Sequence, residues 1–349
     1  MNNSGMALLA QQQRRCNGPQ LLVADENLGS APLHQLQPDN LMIVTNRYNL
    51  YQSALKAGFN CQFNDFDLDA LASGEFAQIL FRVAKEKALT HHIINQSRRL
   101  LGASGTLALI GEKSDGIKTY ADKAGRYLGN PRKPEKHGTL YLATLQKSDA
   151  DNPPLEDNDY HQLRACINTD GLTLQSKPGQ FGWNKVDQGS ALLASQLKTF
   201  LASIGEQDTL LDLGCGYGFL SCMAAQYCSA RIVATDNNAA AIKSCEANFA
   251  ALGIKGDVIA ADCGSSIAER FDVVLCNPPF HQGFVTDGDL TSQFVASCHQ
   301  HLKHGGKALF VVNRFVPLEN CAEKEGLTVE LVAEDRSFKV LVLTRTMHK

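Results

Sequence analysis

The sequence predicts an α/β fold written twice: two tandem domains, each a mostly parallel sheet with helices on both faces and an antiparallel edge. Three observations predict it. Short apolar runs alternate with helix-length stretches through the second half, the pattern of parallel strands joined by crossover helices. The first half repeats that order in weaker form. The chain also ends in two apolar runs with no room for a helix between them, which makes an antiparallel edge hairpin.

The second half is the clearer copy. "TLLDLG" (209–214) is a strand and "FLSCMAAQYC" (219–228) a helix; "RIVATD" (231–236) is a strand and "NAAAIKSCEANFAALG" (238–253) a helix closed by Gly253. "GDVIAAD" (256–262) and "FDVVLC" (271–276) are strands. A helix follows over "TSQFVASCHQHLKHGG" (291–306), then strand "KALFVVN" (307–313). "LTVELVAE" (327–334) and "FKVLVLTR" (338–345) form the final hairpin. In the first half, "QLLVADENLGS" (20–30) parallels "TLLDLGCGYGF", with Asp25 set against Asp212. "LMIVTNRYNLYQSALKAGF" (41–59), "FAQILFRVAK" (76–85), "ASGTLALIGE" (103–112) and "GTLYLATL" (138–145) then match later strands in order. Five matches in order favour a duplication. The expected boundaries are a first domain at 1–147, an acidic linker at 148–165 carrying "SDADNPPLEDNDYHQ", and a second domain at 166–349.

Composition excludes several classes. The chain has 349 residues, 44% hydrophobic and 20% charged, an ordinary globular balance with material for two cores. No apolar run approaches membrane-spanning length, and the arginines near the start follow a short apolar run, the wrong order for a signal peptide. Eleven cysteines with no CxxC pair point to free thiols in a reducing cytoplasm, not to disulfides or a metal site. The net charge of −3 leaves room only for a local nucleic-acid surface.

"LLDLGCGYGF" places Asp212, Gly214, Gly216 and Gly218 where a strand turns into a helix. Glycines there permit positive φ and let a ligand approach the backbone. The spacing GxGxG is not the dinucleotide fingerprint GxGxxG, which argues against NAD or FAD. Asp236 ends the next strand, 22 residues after Gly214, where a carboxylate can take a ribose diol. Asp262 ends the third strand with Cys263 beside it, suited to an adenine amino group. Alone, each acid is more often a helix cap or a solvated turn residue; together with the glycine turn, a cofactor site is the better reading.

"DLGCGYG", the acid ending the second strand, and "NPPF" ending the fourth resemble the class I S-adenosylmethionine-dependent methyltransferases that methylate amino nitrogens. The resemblance implies two Rossmann-like domains. It implies S-adenosylmethionine bound by Asp212, Gly214, Cys215, Gly216, Gly218, Asp236, Asn237, Asp262 and Cys263, with Asn277 bordering it. An amino nitrogen on a base or amide is a poor nucleophile, because its lone pair is delocalised. Two acceptors on its hydrogens turn that lone pair toward the methyl and stabilise the developing positive charge. Asn277 offers a side-chain oxygen, Pro278 a carbonyl on stiff backbone, and Phe280 a stacking face. No side-chain base is required, and His281 is read as a turn residue.

The first half has lost this machinery. Its glycine turn reads "ADENLGS", and Arg82-Val83-Ala84-Lys85 stands where the other half has NPPF. Residues 82–136 hold twelve Lys/Arg against five Asp/Glu, a net of +7, densest in "RYLGNPRKPEK" (126–136). A degenerate, basic copy suits the positioning of a phosphate backbone, through Arg82, Lys85, Arg126, Arg132 and Lys133. The plan is similar to the guanine-N2 methyltransferases of the ribosomal RNA small subunit methyltransferase C type. That family pairs a non-catalytic domain with a catalytic one. "LQSKPGQFGWNKVDQGSALL" (174–193) keeps its Pro178, Gly179, Phe181, Asp187, Gly189 and Ser190, with Gly182 where members carry serine and Val186 where they carry leucine. "NPPFHQG" and "RSFKVLVL" (336–343) also look like the family.

The resemblance implies methylation of guanine N2 at position 1207 of 16S rRNA within the 30S subunit, with Phe181 closing over the flipped base. The expected protein is a cytoplasmic monomer without a metal. A sister group acting on 23S rRNA and the protein glutamine N5-methyltransferases are the competing readings.

Overall fold

The computed structural model describes residues 3–29, 32–279 and 287–346. They form two compact units, Met1–Gln162 and Leu163–Lys349. The first contains α1 (Asn3–Gln13), β1 (Gln20–Ala24), β2 (Leu41–Thr45), α2 (Tyr48–Lys56), β3 (Asn60–Phe63) and β4 (Phe76–Arg82). It continues through α3 (Lys87–Leu100), β5 (Leu101–Glu112), α4 (Ile117–Leu128), β6 (Glu135–His137) and β7 (Leu140–Gln146). The second opens with a hairpin, β8 (Arg164–Thr169) and β9 (Leu172–Ser176), then α5 (Gln188–Ser203), β10 (Thr209–Leu213), α6 (Phe219–Ala224), β11 (Arg231–Asp236) and α7 (Ala239–Leu252). It ends with β12 (Gly256–Ala260), β13 (Phe271–Cys276), α8 (Asp287–His301), β14 (Leu302–Asn313), α9 (Leu318–Lys324), β15 (Leu327–Glu334) and β16 (Phe338–Arg345).

The strand orders are β3-β2-β1-β4-β5-β7-β6 and β12-β11-β10-β13-β14-β16-β15, the same topology twice. In each sheet the first five strands pair in parallel and the last two ladders are antiparallel, so only the sixth strand, β7 or β16, runs against the rest. Irregularities repeat as well: the β4–β5 ladder shifts between Phe76 and Gln78, and the β13–β14 ladder between Phe271 and Val273. Aligning the two phenylalanines sets Arg82 in the place of Asn277 and Leu22 in the place of Asp212. Asp25 therefore falls on Cys215 and not on Asp212, three residues from the expected match.

Period-two alternation explains why both faces of each sheet are covered. Leu210, Val273, Leu275 and Leu309 pack on one side with Leu197, Met223 and Phe249 of α5, α6 and α7. Leu211, Val274, Cys276 and Phe310 pack on the other with Phe294 and Leu318 of α8 and α9. Each fully buried Leu or Phe contributes about 1.5–3 kcal/mol of transfer free energy. Two boundaries differ from expectation. The helix expected over 219–228 ends at Ala224, and the segment from Leu302 is strand because Leu302 pairs with Phe271.

The acidic segment at 148–162 is a strap on the first unit and not a free linker. Asn152 Nδ2 donates to the Arg126 carbonyl (2.8 Å), Leu155 N–H to Asn95 Oδ1 (2.8 Å), and Arg98 donates to the Ala150 carbonyl. Tyr160 is fully buried, and its hydroxyl donates to Asp65 (2.9 Å). His92 stacks on Tyr160, sits edge-on to His161, and meets Asp157 at 3.3 Å. Burial, then the neighbouring His161, pushes His92 down to about 4 from 6.5. The unfolded chain thus takes up this proton at higher pH than the folded one. That stability is complete above pH 6.5 and is lost as pH falls toward 4. Denaturant titrations of the first unit should show a loss of about 3 kcal/mol over that window, and His92→Gln should flatten the slope.

Candidate active site at the strand ends of the second unit

The turn from β10 to α6 holds three glycines in the left-handed region, with φ of +83° at Gly214, +54° at Gly216 and +85° at Gly218. The N–H groups of Gly214 and Cys215 donate to the Thr235 carbonyl, both at 2.9 Å, which ties the turn to the end of β11. The glycines serve different ends. A Cβ on Gly218 would lie 2.7 Å from Cys245 Sγ, so this residue lets the α6 turn pack against α7. A Cβ on Gly216 would meet nothing within 4 Å, so this one leaves an open face.

Three acids end the three strands beside that turn. Asp212 is fully buried; its Oδ2 accepts from the Ser221 N–H (3.0 Å) and hydroxyl (2.6 Å), while its Oδ1 has no partner. Burial pushes Asp212 up to about 6, against the lowering effect of Ser221. Asp236 accepts from the N–H of Gly216 (2.9 Å) and of Asn238 (2.8 Å), so it braces the turn and the start of α7 together. Asn237 Nδ2 reaches Asp262 at 3.3 Å, and burial raises the Asp262 carboxyl. Cys263 adopts φ +45°, and its thiol is pushed up to about 12 by burial. Cys215 and Cys276 are also shifted upward, so none of these thiols offers a thiolate nucleophile at neutral pH.

Asn277 follows β13, the strand paired with β10 on the side away from β11. Its Nδ2 donates to Asp187 Oδ2 (2.9 Å) and to Ser190 Oγ (2.7 Å). Its Oδ1 is buried and has no hydrogen-bond partner. Pro278 is buried. The fold thus brings together Asp212, Gly214, Cys215, Gly216, Gly218, Asp236, Asn237, Asp262, Cys263, Asn277 and Pro278 at the carboxyl ends of four neighbouring strands, where open α/β sheets bind ligands. Phe280 and His281 lie outside the described residues.

Other expected residues stand elsewhere. Phe181 is 82% exposed, on the loop whose Gly179 carbonyl accepts from Asn238 Nδ2 (2.7 Å) and whose Asp187 holds Asn277. Arg82 is not a surface cation: its guanidinium is buried and paired with Asp115 at 3.1 Å. Strand-end placement put it inside, where a free charge is untenable. Lys85, Arg132 and Lys133 are exposed; Arg126 is exposed and paired with Asp122 at 3.0 Å. Asp187 and Ser190 were legible only as motif letters. No local pattern shows that their partner lies about 90 residues on. Among the described residues, no group of three or more His, Cys, Asp or Glu could hold a metal ion.

The glycine geometry separates two substitutions. Gly218→Ala combines a strained φ with the clash on Cys245 and should cost about 2–4 kcal/mol, whereas Gly216→Ala should cost about 1 kcal/mol. Adding Cys245→Ala should recover only the steric part, as read by chemical denaturation.

Comparison with known proteins agrees with this architecture. The "Methyltransferase small domain" family matches residues 171–342, and "Methyltransferase small domain N-terminal" matches residues 7–157. Ribosomal RNA small subunit methyltransferase C of Shewanella amazonensis is 30% identical over 83% of this chain and 82% of its own length. The protein of that name from Pseudomonas aeruginosa is 31% identical over 80% and 82%, and that from Acinetobacter baumannii 29% over 96% and 97%. The solved T. thermophilus 16S rRNA N2 G1207 methyltransferase, in complex with AdoMet and guanosine, superposes with a TM-score of 0.80. It is 24% identical, covering 97% of this chain and 91% of that one, a likeness of fold. With relatives at 30% identity or more over most of their length, the chain belongs to the ribosomal RNA small subunit methyltransferase C family.

Proposed function

We propose that the second unit transfers a methyl group from S-adenosylmethionine to the exocyclic N2 of a guanine in 16S rRNA, acting on the small ribosomal subunit. The observation that carries this reading is the Asn277 amide, anchored through its nitrogen and left with a buried oxygen that accepts from nothing. A buried acceptor without a donor costs about 1–3 kcal/mol, and an arriving amino group removes that cost. Family membership supplies the substrate class, and position 1207 is the nucleotide named for the T. thermophilus protein.

The residues at the rim fit the cofactor. Asp212 Oδ1 is a second buried acceptor without a partner, suited to an ammonium, and the bare Gly216 leaves the space a cofactor backbone needs. In this proposal Asp212 holds the amino group of the methionine portion, and Gly214, Cys215, Gly216 and Gly218 line it. Asp236 and Asn237 take the ribose hydroxyls, and Asp262 with the Cys263 backbone takes the adenine. When bound, the cofactor supplies an electrophilic methyl on a sulfonium. Asn277 Oδ1 and the Pro278 carbonyl accept the two N2 hydrogens, turn the nitrogen lone pair out of the ring's π system, and stabilise the charge that develops. The product nitrogen releases its proton to water. Phe181 and Phe280 supply stacking faces for the flipped guanine.

The first unit is non-catalytic in this reading and contributes RNA-binding charge. Leu22 and Arg82 occupy the places of Asp212 and Asn277, so neither acceptor survives there. Lys85, Arg126, Arg132 and Lys133 carry the phosphate contacts, and the protein acts as a cytoplasmic monomer. No helix among the described residues is long and apolar enough to cross a membrane.

Incubation with labelled cofactor and separated 30S and 50S subunits should label the small subunit, on a guanine N2. Label on 50S would favour the 23S reading, and label on a release factor the glutamine reading. Asn277→Ala should abolish turnover while calorimetry shows nearly unchanged cofactor affinity; surviving activity would refute the assigned role. Reversing Arg132 and Lys133 to Glu should weaken rRNA binding at least tenfold and lower its salt dependence by about two phosphate contacts, with cofactor affinity intact.

A further inference from the structure

We propose that Asp187 and Ser190 are positioning residues that orient and polarise the Asn277 amide; the inference rests on the role proposed for Asn277. Asp187 is the N-cap of α5, and its Oδ2 accepts from the Ser190 N–H at 2.9 Å. Capping geometry places the residue three positions on beside the capping carboxylate, so one helical turn presents two acceptors, Asp187 Oδ2 and Ser190 Oγ. The Asn277 Nδ2 donates to both. Gly189 makes the turn possible at this closeness: a Cβ there would lie 3.1 Å from Asp187 Oδ2 and 3.1 Å from the Phe338 ring.

This arrangement decides which way the amide points. An amide has two nearly isosteric ends, and a flip would exchange Nδ2 for Oδ1. Flipped, Oδ1 would face a carboxylate oxygen 2.9 Å away with no proton between them. The flipped state is excluded electrostatically, and Oδ1 is left facing the position of the reacting nitrogen. Pulling on both N–H bonds of the amide also enriches Oδ1 in electron density, because linked hydrogen bonds polarise one another. The effect grows as the target nitrogen becomes positive, so the anionic Asp187 acts on the transition state through Asn277 without touching substrate. Asp187 also belongs to the loop that carries Phe181, so the aromatic face and the acceptor are held by one segment.

The test compares Ser190→Ala, Ser190→Thr and Asp187→Asn with the unaltered protein on 30S subunits, reading kcat, KM for the subunit, cofactor Kd and Tm. Asn at 187 keeps the cap oxygen but removes the charge. Ser190→Ala and Asp187→Asn should each lower kcat about 10- to 100-fold, and Ser190→Thr should restore it to within about threefold. KM, cofactor Kd and Tm should stay near those of the unaltered protein, which a merely structural role would not allow. If both variants keep kcat within about twofold, or if the loss follows Tm or cofactor Kd, the inference is overturned. An unaltered protein inert on 30S subunits would sink the functional reading instead; the two failures are distinct.

Discussion

Two buried oxygens without partners, Oδ1 of Asp212 and Oδ1 of Asn277, are the constraint around which the second unit is organised. Each would be cheaper to satisfy or replace, at about 1–3 kcal/mol apiece, and each is kept unsatisfied by its neighbours. Ser221 occupies the other oxygen of Asp212, and Asp187 with Ser190 occupies the nitrogen of Asn277. The capped end of α5 fixes the second. The two oxygens end adjacent parallel strands, so register brings them to one rim.

The first unit shows what happens when that constraint is relaxed. Leu22 stands where Asp212 does and packs in the core. Arg82 stands where Asn277 does, and Asp115 neutralises it. Asp25, near the vestigial turn, is pushed up to about 6 by burial and accepts from Asn27. Polar groups remain at the strand ends: Arg82 pairs with Asp115 and Asp25 accepts from Asn27, although Asn46 Oδ1 and Arg82 Nε have no partner. The exchange of an acceptor for a cation therefore closes a site here; it does not open an RNA surface. The exposed charge of this unit lies further along, at Lys85 and in the loop around Arg132 and Lys133.

Much of the fold was legible because apolar alternation reports strand faces directly. The duplication was visible from order alone, yet its register was not: the Asp25 match failed because a three-residue slide leaves the letters plausible. Composition suggested a linker at 148–162, because acidic residues and prolines usually mean solvent. That segment instead hydrogen-bonds to α3 and α4: Leu155 N–H donates to Asn95 Oδ1 and the Leu155 carbonyl accepts from Asn95 Nδ2, 60 residues away.

The sequence by itself determined the chemistry on offer at the site: a GxGxG turn, acids ending successive strands, and an Asn-Pro-Pro-Phe end suited to an amino nitrogen. Those are local features, in which neighbouring residues constrain one another. Only the tertiary structure decided which atoms stay free. Whether Arg82 faces water or Asp115, and whether the Asn277 amide presents its oxygen or its nitrogen, depends on partners 33 and 90 residues away. Such pairings arise when strand order and helix capping bring distant side chains together, and no window of sequence contains both members.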